Sequence, residues 1–142
     1  MKIWTIVLTR DKKYSQVETS VIGSYPCVCL AENELASYIA ARADASSEFS
    51  FALWNDENHS DLKDHILGNE KLLKVVDSVW IMSFFDRCND RCMMPPALKT
   101  AVKEYVIGEV VSSGCYYIYV SPNGEDESYH FDIVANELEM VV

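Results

Sequence analysis

Cys88 and Cys92 stand four apart in FFDRCNDRCMMPP, residues 84–96, among Asp86, Arg87, Asp90 and Arg91. Paired thiols can hold zinc or exchange disulfides, but both uses favour a C-x2-C spacing, and the spacing here is C-x3-C. A four-ligand site would need Cys27 and Cys29, or His59 and His65, to be carried to this pair by the fold. Structural zinc sites declare themselves by two short-spaced pairs, and no second pair follows at ribbon distance. The segment therefore reads as a polar connector, and neither metal nor cofactor is expected.

A second group has the residue types of a thiol hydrolase. His130 and Asp132 lie two apart in SYHFDIVA, so a strand would put both on one face, and Cys115 opens the preceding run CYYIYV. Such chemistry needs a base beside the thiol and an oxyanion hole next to it. The context is poor for that. Cys115 begins a strand rather than a helix, and the chain has only 5 glycines with which to build oxyanion turns. The acidic stretch NDENHSD, residues 55–61, resembles a calcium loop only in part. Aligned from Asp56, it has Asp61 where an EF-hand requires glycine and Leu67 where the bidentate glutamate belongs. The chain contains no G-x-x-x-x-G-K-[ST], G-x-G-x-x-G or H-E-x-x-H.

The elements that would position these groups follow from hydrophobic periodicity. Residues 2–9, KIWTIVLT, alternate as a strand, and 17–31 supply an interrupted second one with Cys27 and Cys29 on one face. Asn33 is placed to cap a helix over 34–43, and EFSFALW alternates again, with Phe49, Phe51 and Leu53 on one side. This predicts an N-terminal ββαβ unit. A short helix DLKDHIL follows, capped by Ser60 and ended by a left-handed Gly68, and Asn69 starts another with Leu72, Leu73, Val75 and Val76 along it. VWIMSFF, residues 79–85, fits either a continuation of that helix or a buried strand; its length and composition favour the strand, and periodicity alone does not decide. Pro96 opens a helix buried through Leu98, Ala101, Val102 and Tyr105 and ended by Gly108. The chain closes with a β-hairpin and meander: CYYIYV, the turn SPNG, SYHFDIVA and ELEMVV. The expected fold class is α+β, mostly antiparallel sheet with three or four helices, in a single domain of residues 1–142.

The 142 residues are 49% hydrophobic and 24% charged, a globular composition. The apolar start ends at Leu8, too short for a signal-peptide core, and an odd count of 5 cysteines suits free thiols, so the expectation is a cytoplasmic protein with some cysteines in its core. No apolar run reaches membrane-spanning length. A net charge of −10 gives no cationic footprint for nucleic acid, so no direct contact with it is expected.

The charge is unevenly placed. Beyond Lys103 the chain has eight acids and no lysine or arginine; up to it, 14 acids face 12 bases. Five of the 8 tyrosines share this acidic end: Tyr105, Tyr116, Tyr117, Tyr119 and Tyr129. Carboxylates steer basic partners, and tyrosine supplies contact area at low entropic cost. Tyr117, Tyr119, Glu125, Asp126, Glu127 and Asp132 are accordingly read as a protein-binding surface. The expected function is non-enzymatic: an acidic protein that occludes a basic, nucleic-acid-handling partner, a profile shared by phage anti-defence inhibitors (anti-CRISPR or anti-restriction). The alternatives are an immunity protein for a nuclease toxin, or a small enzyme or ligand-binding domain with a pocket around His130 and Asp132.

Overall fold

Strand β1 (Lys2–Lys12) has an antiparallel neighbour on each side, β2 (Glu18–Tyr25) and β4 (Glu127–Glu137), and β4 pairs in turn with β3 (Cys115–Val120). The sheet order is β2-β1-β4-β3. This arrangement comes from a computed structural model that describes residues 1–12, 17–46, 50, 52–54, 61–87, 93–120 and 127–137. The described helices are α1 (Val28–Ala45), α2 (Asp61–Leu67), α3 (Glu70–Leu73), α4 (Ser78–Arg87) and α5 (Pro96–Ser113), with Ser50 and residues 52–54 also helical. The fold is α+β, with a strand pair at the N-terminus and a β-hairpin at the C-terminal end, as expected.

Two compact units divide the chain. The first comprises Met1–Leu35 and Ile107–Val142 and holds the whole sheet; the second is Ala36–Val106 and is helical in its described residues. In the first, the period of two sorts the strands into two faces. Ile6, Leu8, Tyr116, Ile118, Tyr129 and Phe131 are buried on one face, and Ala31, Leu35 and Val110 are buried in the same unit. The other face carries Thr5, Val7, Thr9, Tyr117, His130 and Asp132, none of them fully buried. A β-bulge between Ile6 and Val7 shifts the β2 register by one residue, which sets Val21 opposite Val7 on this open face.

In the second unit, Ala36, Ile39, Ala40 and Ala43 form the buried stripe of α1, and Leu98, Ala101, Val102, Tyr105 and Val106 that of α5. Asp44 on α1 anchors the approach to α5. Its carboxylate accepts a hydrogen bond from the Met94 amide at 2.6 Å and lies 3.5 Å from the Lys99 ammonium.

Several expected elements change type. VWIMSFF belongs to helix α4 rather than a strand. Asp77 starts it, its side chain accepting from the Val79 amide at 2.7 Å, and Ile81 and Phe85, four apart, are both fully buried. Burying each is worth about 1.5–3 kcal/mol, and only the helical period hides both while leaving Val79 exposed. The final strand of the expected ββαβ unit is helical at Ser50 and 52–54; Phe49 and Phe51 lie outside the described residues.

Cys27 and Cys29 do not share a strand face either. Pro26 cannot donate to the ladder and stands just past the end of β2, and the Ala31 amide bonds the Cys27 carbonyl at the start of α1. Both thiols are exposed rather than in the core. Asn33 is inside α1, donating to the Cys29 carbonyl at 2.7 Å, instead of capping it.

Asn69 does cap α3, accepting from the Leu72 amide at 3.1 Å, but that helix is one turn long and only Leu72 of its expected stripe is buried. Gly68 ends α2 without positive φ, because the chain turns directly into the α3 cap through an Asn69-to-Ile66 hydrogen bond. Pro96 opens α5 and the four expected core residues are buried, yet the helix continues through Gly108 to Ser113. Ser60, the SPNG turn and most of ELEMVV lie outside the described residues.

Candidate functional site

The end of α5 sets the register of the hairpin. Gly114 has φ +74 and its amide bonds the Val110 carbonyl at 2.6 Å, a left-handed helix stop that only glycine adopts without strain. Cys115 follows as the first residue of β3. The Gly114 carbonyl then accepts from the Ile133 amide at 3.2 Å, and Cys115 faces Asp132 across the ladder. A bond joining the residues that flank a pair marks it as non-hydrogen-bonded, the class whose side chains approach most closely, with Cα atoms about 4.5 Å apart. Because the classes alternate, the next pair on this face, Tyr117 and His130, is of the same kind.

This register assembles a three-residue cluster. The Cys115 thiol, a ring nitrogen of His130 and a carboxylate oxygen of Asp132 all lie within 4.8 Å of one another. His130 Nε2 is 3.4 Å from Asp132 Oδ1, and the two side chains are 47% and 43% exposed. Tyr117 meets the imidazole edge-on, with ring centroids 6.0 Å apart at 89°, which steadies the ring plane. Behind the thiol, Ser113 Oγ lies 3.9 Å from Sγ and donates to the Glu109 or Cys115 carbonyl. On β1, Val7 faces Asp132 and Thr9 faces His130. The cluster therefore offers a soft sulfur, an imidazole and a carboxylate on one accessible surface. Those groups can share a cation or a proton.

The open face around the cluster has a distinct chemistry. By register its β1 members are Ile3, Thr5, Val7, Thr9 and Asp11, and its β4 members are Ser128, His130, Asp132, Val134 and Asn136. Val21 and Val134 are exposed on it. Among the described side chains, the strand cations Lys2 and Arg10 alternate with the open set along β1 and fall on the other face.

The residues expected to form a binding surface separate on this sheet. Tyr117 and Asp132 occupy the open face, and the backbone of Tyr119 pairs with Ser128 near the end of β3. Glu125 and Asp126 lie outside the described residues. Glu127 is on the closed face, 7% exposed, its carboxylate bonded to the Arg10 guanidinium. Partial burial pulls the Arg10 pKa down, but the hydrogen bond to Glu127 and the nearby Tyr129, Glu127 and Glu18 outweigh it and leave it raised. Arg10 also stacks over the Tyr129 ring at 5.2 Å. The charge of Glu127 is thus matched inside the unit and is not displayed. Alternation alone would have shown it, since Glu127 shares parity with Tyr129 and Phe131.

The other candidate ligands do not add to the cluster. Cys27 and Cys29 are exposed beside the start of α1, and His65 on α2 packs against the Tyr105 ring at 5.8 Å. Cys88, Cys92, His59 and residues 55–60 of the calcium-like stretch lie outside the described residues. No described helix is long and apolar enough to cross a membrane. Compared with family models, with curated proteins and with solved structures, the chain matches none.

Proposed function

We propose that the chain acts by binding, using the open face of the sheet to dock a basic protein. The observation that carries this reading is the composition of that face: Tyr117, Val21 and Val134 supply contact area, Asp11 and Asp132 supply charge, and no described lysine or arginine shares it. The unit that bears it holds 11 acids against 4 bases, so −7 of the net −10 belongs to this part of the chain. A field of that sign attracts a cationic surface and speeds its docking. A nucleic-acid-handling protein has such a surface where phosphates bind. Occupying it would make the chain an inhibitor by steric and electrostatic occlusion.

The test is a pull-down from a lysate of the protein's own cells, at low and high salt. The wild type runs beside an Asp11→Lys/Tyr117→Ala/Asp132→Lys variant, which leaves the Arg10–Glu127 pair intact. A basic protein held by the wild type and lost with the variant and with salt supports the reading. Identical recovery by both baits, or no recovery, overturns it.

A further inference from the structure

We infer that Cys115, His130 and Asp132 form a zinc-class divalent metal site with one open coordination position. The inference goes beyond the docking reading and stands without it, since it concerns what the isolated protein binds.

Three observations converge on the cluster. The first is donor chemistry. A thiolate, an imidazole and a carboxylate are the three side-chain types that zinc accepts together, whereas magnesium and calcium take oxygen and avoid sulfur. The second is distance. At Zn–N and Zn–O lengths near 2.1 Å, a tetrahedral centre separates its nitrogen and oxygen ligands by about 3.4 Å. His130 Nε2 and Asp132 Oδ1 are 3.4 Å apart, and the Cys115 donor lies within 4.8 Å of both.

The third is preorganisation. The donors sit on two paired strands rather than on loops, and the register is pinned on one side by Gly114 at the end of α5. Cys115 and Asp132 face each other in the closer class of strand pair, and Tyr117 restrains the imidazole. A site on rigid elements gives up less entropy on binding than one assembled from flexible chain.

The open face leaves the fourth position to water or to an incoming donor. That is the pattern of three protein ligands and one exchangeable one. Two negative ligands would neutralise the ion, so zinc would remove Asp132 from the acidic groups of the face. Zinc would therefore weaken the docking of a basic protein, and the two readings are told apart because metal uptake is read on the isolated chain with no partner present.

The experiment is titration of the full chain with zinc(II) against a chromophoric chelator, paralleled by cobalt(II) spectroscopy. Because other thiols could bind metal, it uses a Cys27→Ser/Cys29→Ser/Cys88→Ser/Cys92→Ser background, with far-UV circular dichroism confirming the fold. The expected result is one metal per chain and a thiolate-to-cobalt charge-transfer band. Cys115→Ser should abolish the band, and His130→Ala or Asp132→Asn should each weaken zinc binding by at least about 100-fold, since losing only a partner that orients a ligand already costs up to about that much. The inference is overturned if the background chain takes up no metal, or if uptake and the band survive Cys115→Ser. It is equally overturned if His130→Ala and Asp132→Asn leave the affinity unchanged. Failure to recover a basic partner would leave all of these readouts untouched.

Discussion

Arg10 and Glu127 lie diagonally across β1 and β4 on the closed face of the sheet, the guanidinium bonded to the carboxylate and stacked over the Tyr129 ring between them. Glu127 is nearly buried, so its removal leaves a partly desolvated cation without its acceptor. Because Arg10 is a third exposed and water takes over part of the lost bond, Glu127→Ala should cost about 1 kcal/mol in urea unfolding, the net worth of a typical hydrogen bond. Glu127→Lys should cost more, because it sets a second cation against Arg10. Glu137→Ala, at an exposed position of the same strand, should stay within about 0.5 kcal/mol of wild type. Equal effects at the two positions would mean that the Arg10 pair carries no stability.

The same pair shows what a charge pattern can and cannot reveal. Eight acids beyond Lys103 are visible in the sequence, but which face of a strand each occupies depends on parity, and parity places Glu127 with the core. His130 and Asp132 were legible as face-mates because their spacing needs only the period of two. Cys115 was legible as their partner-strand companion, but the register that brings its thiol to them was not, since it depends on where α5 stops. That stop is Gly114, whereas Gly108 looked like the natural end. A glycine within a helix and a glycine beyond one differ by φ, which composition does not encode. VWIMSFF misleads for a related reason. Short apolar runs fit either period, and what decides is the Asp77 cap and the exposure of Val79, which a strand would place on the same face as the buried Ile81 and Phe85.

The two glycines of this region should respond to alanine with opposite signs. Gly108 lies inside α5 and an added Cβ would meet nothing within 4 Å. Gly108→Ala should stabilise the protein by about 0.5–1 kcal/mol through helix propensity. At Gly114 space is equally free, but φ +74 strains any L side chain. Gly114→Ala should destabilise by about 1–2 kcal/mol. Thermal or urea unfolding of the two variants checks the pair, and stabilisation by Gly114→Ala would contradict the left-handed stop that sets the hairpin register.

Asp44 should behave as an acceptor first and a charge second. Its hydrogen bond from the Met94 amide is short and Met94 is buried, while Lys99 is 3.5 Å away and a third exposed. Asp44→Ala strands the amide and should cost about 1–3 kcal/mol. Asp44→Asn keeps an acceptor oxygen and should recover most of that loss, and Lys99→Ala should cost under about 1 kcal/mol, as exposed ion pairs do. If Asp44→Asn is as damaging as Asp44→Ala, the carboxylate charge and not the amide contact holds the approach to α5.

Trp54 separates ring packing from hydrogen bonding in the helical unit. Its ring stacks on Phe85 with centroids 4.3 Å apart and planes 5° from parallel, and it is essentially buried. Its indole Nε1 is also buried, with no hydrogen-bond acceptor among the described residues. A buried donor in that position costs about 1–3 kcal/mol, so a phenyl ring that keeps the stack removes a penalty while giving up some volume. Trp54→Phe should therefore stay within about 1 kcal/mol of wild type by that offset, whereas Trp54→Ala should lose about 3–5 kcal/mol through the cavity it opens beside Phe85. Urea unfolding monitored by circular dichroism distinguishes the two. A Trp54→Phe loss approaching that of the alanine variant would show that the indole N–H makes a bond that stabilises the unit.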